Sequence, residues 1–385
     1  MKRFLHIIGL SVLVAHSMVY TCTLRDGISG DLPTGSSQPF AINFAPDSSL
    51  LVTGNDGSDD ASTFAVIGTA PFTGQSYGLS GGMGPFSAAF SPDGSYYVAG
   101  NQATGDITVF QVDGVTLTNA QRHTIPSSPR AMAYAPDGSF FATASFSSND
   151  ITLHALIDDE LFTSPSYALP GGSTQPLSIA ISPDGSLVAT ANFASGNVTI
   201  APVVSGALGD RTSYPMPGGA SGASGVAFSP DGSFLAVSNL GSNTITIFTV
   251  TDGTLTNGIA YPLAGGYLAP NSVAFNSDGS YVIVSTIGGT HGVVVLEMDS
   301  SGVLSNEVGY PLPGGSSNPQ QVAFAPDNSV VATANFDTAD VTFFPTSNCS
   351  IPTPPAGSSE TSSESETVDS SALRLHGSVC GIFLR

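Results

Sequence analysis

The sequence predicts an all-β fold: a seven-bladed β-propeller with four-stranded blades, its ring closed by the N-terminal strand completing the last blade. Three observations carry that expectation. A small residue followed by Pro-Asp-Gly or a near variant recurs seven times, with the Asp at Asp47, Asp93, Asp137, Asp184, Asp231, Asp278 and Asp327. A period of about 40–50 residues marks a solenoid, propeller or array. Each period holds four short extended stretches and no sustained helical periodicity. The seventh repeat breaks off after three strands, and its missing fourth lies at the other end of the chain.

The repeat around Asp231 shows the elements in order. Gly-Val-Ala-Phe-Ser at 225–229 reads as the inner strand, and Pro230, Asp231 and Gly232 form the turn. Pro presets the first turn position, Asp tolerates the second and Gly supplies a positive φ. Phe-Leu-Ala-Val-Ser at 234–238 and Thr-Ile-Thr-Ile-Phe at 244–248 are the next strands, and a Thr251-Asp252-Gly253 turn leads to the fourth. Radial repetition of such units leaves only short, protected edges. Residues 23–28 match 254–259, and the same offset places Pro39 on Pro270, so residues 23–32 should pair beside 341–344.

Under this alignment Cys22 and Cys349 both fall on the position of Gly253, at the turn that the chain termini sever. A disulfide there would replace the missing peptide link. Closing so long a loop contributes up to roughly 5 kcal/mol on the chain-entropy model. Spacing alone leaves two unpaired thiols as the other reading. Cys380 remains over, free or intermolecular.

Lys2 and Arg3 precede an apolar run over residues 4–15, and Ala15-His16-Ser17 supplies small residues where a signal peptidase reads. The run is too short to span a bilayer. Residues 1–17 are therefore read as a signal peptide and the protein as secreted or periplasmic. Acylation of Cys22 is a weaker alternative, because Tyr20 and Thr21 suit a lipidation site poorly. The propeller is assigned to 18–349, a Pro/Ser/Thr/Glu-rich linker to 350–371 and a C-terminal tail to 372–385.

The chain has 8 Lys+Arg against 29 Asp+Glu, a formal net charge of -21. Such a surface repels phosphate backbones, which excludes nucleic acid as an expected partner. With 41% hydrophobic and 10% charged residues the composition is that of a folded β protein. A monomer with no membrane span is expected.

The Pro-Asn-Ser-Val-Ala-Phe-Asn-Ser-Asp-Gly phrase at 270–279, the Ser-Ile-Ala-Ile-Ser-Pro-Asp-Gly phrase at 178–185 and the Asp252-Gly253 inter-strand turn resemble the seven-bladed lactonase-like and YVTN-repeat propellers. The resemblance covers essentially residues 22–349. It implies the propeller fold. Some relatives in the wider group are 6-phosphogluconolactonases and many are propellers without known chemistry, so it permits lactone hydrolysis without requiring it.

Register lists the candidate site. Pro39, Pro85, Pro129, Pro176, Ala223, Pro270 and Pro319 lie eight residues before the turn Asp, and the next residues, Phe40, Phe86, Arg130, Leu177, Ser224, Asn271 and Gln320, are predicted to form the mouth of the central channel. Arg130 is the one charge among them, and the ring offers no carboxylate, His or Cys for a general base or metal cage. No cofactor or metal is therefore expected. A secondary ring lies eight residues after each turn Asp: Asn55, Asn101, Ser145, Asn192, Asn239, Thr286 and Asn335. Its carboxamides suit a polyhydroxylated ligand, or else hold their own loops. A third ring, Asp60, Asp106, Asp150, Asn197, Thr244, His291 and Asp340, reads as turn chemistry before a strand, because calcium ligands must converge within about 2.6 Å of one ion. Residues 55–60 form the one local acidic cluster that could hold calcium alone, without matching a calcium-loop pattern. His154 is placed in a packed third strand and His123 in an outer strand.

Two functions follow. The mouth, lacking acid–base groups, points to a binding or scaffold protein whose partner is a neutral or polar small molecule, a glycan or a protein. The alternative is a lactone hydrolase of the 6-phosphogluconolactonase-like kind.

Overall fold

The structure, a computed structural model, describes residues 22–68, 70–289, 291–347 and 349, with the side chains of 70–73 left aside. The signal peptide, linker, tail and Cys380 assignments lie outside these residues. The described chain forms seven antiparallel sheets. Blade 1 runs Pro39–Phe44, Leu50–Asn55, Asp60–Ile67 and Ala70–Gly78 from the channel outward, and the pattern recurs to blade 7, built on Pro319–Phe324, Val330–Asn335 and Asp340–Ser347.

The turn phrase repeats because its hydrogen bonds repeat. In all seven copies the Asp side chain accepts the backbone N–H two residues on, from Ser49, Ser95, Ser139, Ser186, Ser233, Ser280 and Ser329, at 2.9–3.0 Å. Five copies use Gly at positive φ after the Asp; where Gly is absent, Ser48 (φ 63°) and Asn328 (φ 58°) take the same conformation. The first hairpin of every blade is thus fixed locally.

Blade 7 takes its outer strand from the N-terminus. Thr23–Leu24 pairs with Ser347 and Thr346, and Ile28–Asp31 pairs with 343–340. The predicted closure is present, but its outer strand is split in two. The outer strands of blades 3 and 4 are split likewise, Glu160–Thr163 with Tyr167–Ala168 and Ala207–Leu208 with Thr212–Pro215. Cys22 and Cys349 form a disulfide across 327 residues at this seam. The bridge lies in a core with Leu24, Tyr281, Val331 and Phe344, and the Cys22 N–H donates to the Tyr281 hydroxyl at 2.8 Å.

Blades pack through apolar side chains of their middle strands: Leu50, Val52, Tyr97 and Phe110 in one interface, Leu235, Val237 and Phe248 in another, all buried. One feature of the inner strands positions the site. In every blade the ladder slips by one residue in the inner strand, Pro39/Ala41 through Pro319/Gln321, between its first and third residues except in blade 6, where the longer strand Tyr267–Phe275 slips at Pro270/Ser272. The skipped residue is a β-bulge, which re-aims a side chain and bends the strand.

Two outcomes follow. Replacing Cys22 and Cys349 together by Ser removes the covalent closure and is expected to lower stability by up to roughly 5 kcal/mol, read as a drop in denaturant midpoint; an unchanged midpoint would contradict it. Acid tests the turns. Backbone and hydroxyl hydrogen bonds from Ser49 hold Asp47 below the usual carboxylate range, hydroxyl then backbone bonds from Ser139 do so for Asp137, and the Ser91 and Ser182 hydroxyls lead for Asp93 and Asp184. Carboxylates depressed in the folded state contribute stability that is complete above the ordinary value of 3.8 and lost as pH falls through the depressed values. The thermal midpoint should therefore fall steadily below about pH 4.

Candidate functional site

The seven bulged residues are Phe40, Phe86, Arg130, Leu177, Ser224, Asn271 and Gln320, and all seven line one cavity of about 100 Å³ at the channel mouth. The bulge explains the register. Pro, or Ala223, precedes the bulge in each inner strand and opens that strand in every blade but blade 6, and the residue after it is turned out of the ladder toward the axis.

The mouth has two unlike sides. On blades 5–7 the polar groups satisfy one another: the Asn271 side-chain amide donates to the Gln320 backbone carbonyl at 2.7 Å, Gln320 donates to Asn318 Oδ1 at 2.6 Å, and the Ser224 hydroxyl donates to the Pro270 carbonyl at 2.9 Å. On blades 1–3 the Arg130 guanidinium lies over Phe40 and Phe86, its carbon 4.5 and 5.0 Å from the ring centroids, and the two rings pack at 4.7 Å. Among the described residues Arg130 has no hydrogen-bond or ion-pair partner. The rings attract a cation by about 0.5–2 kcal/mol each, but they supply no acceptor for its N–H groups. Burial pulls the Arg130 pKa down to about 10, with Asp56 opposing. It stays a cation at neutral pH, with its donors uncommitted.

Asp56 is a carboxylate whose charge reaches Arg130, although it is not among the residues lining the cavity, and ring counting did not mark it. It follows the secondary-ring residue Asn55, and its backbone N–H donates to the Gln38 carbonyl at 2.9 Å. Its carboxylate oxygen stands 3.4 Å from where a Cβ on Gly84 would lie, two residues before Phe86. Burial and then Asp59 push its pKa up, while Arg130 draws it down; the net shift is upward. The available signal was position: one step past the secondary ring.

The secondary ring does not line this cavity. Asn55, Asn101, Asn192, Asn239 and Asn335 are fully buried. Asn55 donates to Asp60 at 2.6 Å, Asn101 to Asp106 at 2.7 Å, Asn192 to Asn197 at 2.8 Å, Asn239 to Thr244 Oγ1 at 3.1 Å and Asn335 to Thr342 at 2.8 Å. Ser145 is buried, and the Thr286 hydroxyl donates to the His291 backbone carbonyl. Outside blade 3, where the Ser145 hydroxyl is buried without a partner among the described residues, the second ring thus ties the loop or strand that follows within its own blade. Other third-ring carboxylates are engaged locally too: Asp106 by Arg122, Asp150 by Ser127 at 2.9 Å, Asp340 by Thr338 at 2.7 Å. In the 55–60 cluster Asp59 accepts the Gly84 N–H at 2.8 Å. Among the described residues no three His, Cys, Asp or Glu are grouped to hold a metal. His154 is buried, stacked on Phe141 at 4.9 Å with Thr143 and Thr163 at its ring nitrogens, and burial lowers its pKa to about 3. His123 lies on an outer strand, Thr116–Thr124.

These features, a lone mouth cation in a seven-bladed ring, meet a family assignment. A profile described as "Lactonase, 7-bladed beta-propeller" matches residues 21–118, 87–161 and 211–316, more than half the chain, which therefore belongs to that family. No curated protein matches. Among solved structures, hydrazine synthase of Kuenenia stuttgartiensis is 19% identical with a TM-score of 0.66, over 83% of this chain and 97% of that one. A proposed 6-phosphogluconolactonase of Bacteroides uniformis is 20% identical at a TM-score of 0.61, over 74% and 88% of the two chains. Another, from Bacteroides fragilis, is 19% identical at 0.63, over 77% and 96%. At such identity the likeness is one of fold. No helix of the described residues is long and apolar enough to cross a membrane.

The loop-holding role of the secondary ring is checked by Asn192→Ala. It strands the Thr190 and Asn197 partners and should cost about 1–3 kcal/mol of stability, with the mouth unaltered; a loss confined to ligand binding would reverse that assignment.

Proposed function

We propose that this chain is an extracytoplasmic hydrolase of small lactones, acting at the channel mouth. One observation carries it: a buried guanidinium with uncommitted donors, facing a cavity in a protein whose net charge is -21. An enclosed donor aimed at developing negative charge is the commonest large contribution to ester and amide hydrolysis. Family membership supports the same reading. It displaces the binding or scaffold role that the sequence put first. That role rested on a mouth without acid–base groups and would have used Asn271 and Gln320 beside Arg130, but the Asn271 side-chain amide already donates to Gln320.

In the reaction proposed, the lactone carbonyl oxygen accepts from Arg130 while Phe40 and Phe86 hold the ring. Water attacks the carbonyl carbon, passing a proton to the Asp56 carboxylate. The tetrahedral oxyanion rests on Arg130. As the ring C–O bond breaks, the leaving alkoxide takes that proton back from Asp56, so that one water is added, the Asp56 carboxylate is restored and a hydroxy acid results. Asp56 suits the base role because burial and then Asp59 raise its pKa, making it a stronger base than an ordinary carboxylate, while Arg130 limits the rise. A phosphorylated sugar lactone suits the mouth less, since Arg130 is its one cation. The Cys22–Cys349 disulfide and the apolar run at 4–15 support placement outside the cytoplasm.

The test is hydrolysis of a panel of lactones by the purified chain, followed by base uptake at constant pH. Arg130→Ala should lower kcat by about 100-fold or more with the thermal midpoint retained. The Asp56 base must be ionised, so activity should be full above its raised pKa and fall as pH drops through it; Asp56→Asn should remove that acid limb along with most of the rate. Absence of any lactone turnover, or full activity in Arg130→Ala, would defeat the proposal.

A further inference from the structure

The cavity is small, so most of any substrate larger than a lactone ring must lie on the surface around it. That surface has a pattern of its own. One residue past the secondary ring, each blade places a half-buried side chain on the upper rim. Blades 1 and 2 place Asp56 and Gln102 there. Blades 3–7 place Phe146, Phe193, Leu240, Ile287 and Phe336.

Hydrogen bonds fix these residues at the top of the inner hairpin. The Phe193, Leu240 and Phe336 N–H groups donate to Gln175, Gly222 and Asn318 carbonyls, just before the inner strands, at 2.8–3.0 Å. Phe193 and Phe336 reach the following blade. Phe336 meets Phe40 across blades 7 and 1, with centroids 6.3 Å apart, and a Cβ on Gly222 of blade 5 would meet the Phe193 ring at 3.3 Å. The apolar arc therefore joins the cavity wall. Its other end begins at Phe146, on the same blade as Arg130.

Resting on the hydrolase reading above, we infer that the substrates are lactones bearing an apolar chain. The ring occupies the cavity with its carbonyl on Arg130, and the chain lies along the arc from Phe336, which meets Phe40 of the cavity wall, toward Ile287, which shares a surface hollow with Asn318 and Pro319 of blade 7. Charge selects the same class. The mouth offers one cation, matched by the carbonyl or the product carboxylate, while the acidic surface disfavours further anionic groups on the substrate. Polyhydroxylated substrates would leave their hydroxyls against apolar rings without partners.

The test uses the full secreted chain with γ-lactones carrying side chains of zero, four and eight carbons, alongside gluconolactone. The kcat/KM should rise by about tenfold or more from the unsubstituted to the eight-carbon lactone, mainly through KM. Phe336→Ser and Ile287→Ser should remove most of that gain, while Phe162→Ser, exposed on the blade 3 outer strand, should leave it intact. Isothermal titration with octanoate and acetate reads the arc independently of turnover: octanoate should bind about tenfold tighter. Turnover that is flat with chain length, or best for gluconolactone, would overturn the chain assignment while leaving the hydrolase reading standing. Tight octanoate binding with no turnover of any lactone would overturn the hydrolase reading and with it the lactone ring, keeping only the apolar arc. Equal binding of the two acids would overturn the arc.

Discussion

A ring of sheets has no natural end, and every blade interface here relies on the last gap being closed. Blade 7 owns three strands of its own, and without Thr23–Leu24 and Ile28–Asp31 it would expose Asp340–Ser347 as an unpaired edge. The closure is therefore doubled. Ladder hydrogen bonds join the termini through peptide groups, and the Cys22–Cys349 disulfide replaces the hairpin that other blades make at this position. The two act differently: the strands remove an edge from the folded state, while the covalent link restricts the unfolded one.

Closure matters to the site because the mouth is assembled from all seven blades. No pair of neighbours contains it. Arg130 on blade 3 rests on Phe86 of blade 2 and Phe40 of blade 1, and Phe40 in turn meets Phe336 of blade 7. The stack that holds the cation therefore crosses the seam between first and last blades. The bulge in each inner strand turns a local irregularity into a radial constellation, one side chain per blade. Where those side chains are amides and hydroxyls they are bonded to neighbouring groups of the protein. The single guanidinium sits opposite, among rings that can attract but not accept from it.

Much of this was legible in the sequence. The Asp turns, the blade count and the borrowed strand follow from a repeat whose hydrogen bonds are local, so identical residues meet identical partners in each copy. Counting from the turn Asp alone also named Phe40 through Gln320, the residues that line the cavity, but not what they bind. The Asn ring was less legible. Its spacing fixed the loop, but the choice between ligand and loop contacts depends on where a side chain points, and Asn55 and Asn192 point into their own blades.

By itself the sequence determined what is periodic: turn, strand order, register and the two cysteines at the severed hairpin, because each depends on residues a few positions apart or on a repeat matched to itself. Only the tertiary structure decided what Arg130 lacks and what Asp56 is near. Those facts depend on the side chains of four blades converging from positions up to about 300 residues apart in the chain, where burial and charge are set by the assembled ring and by no local spacing.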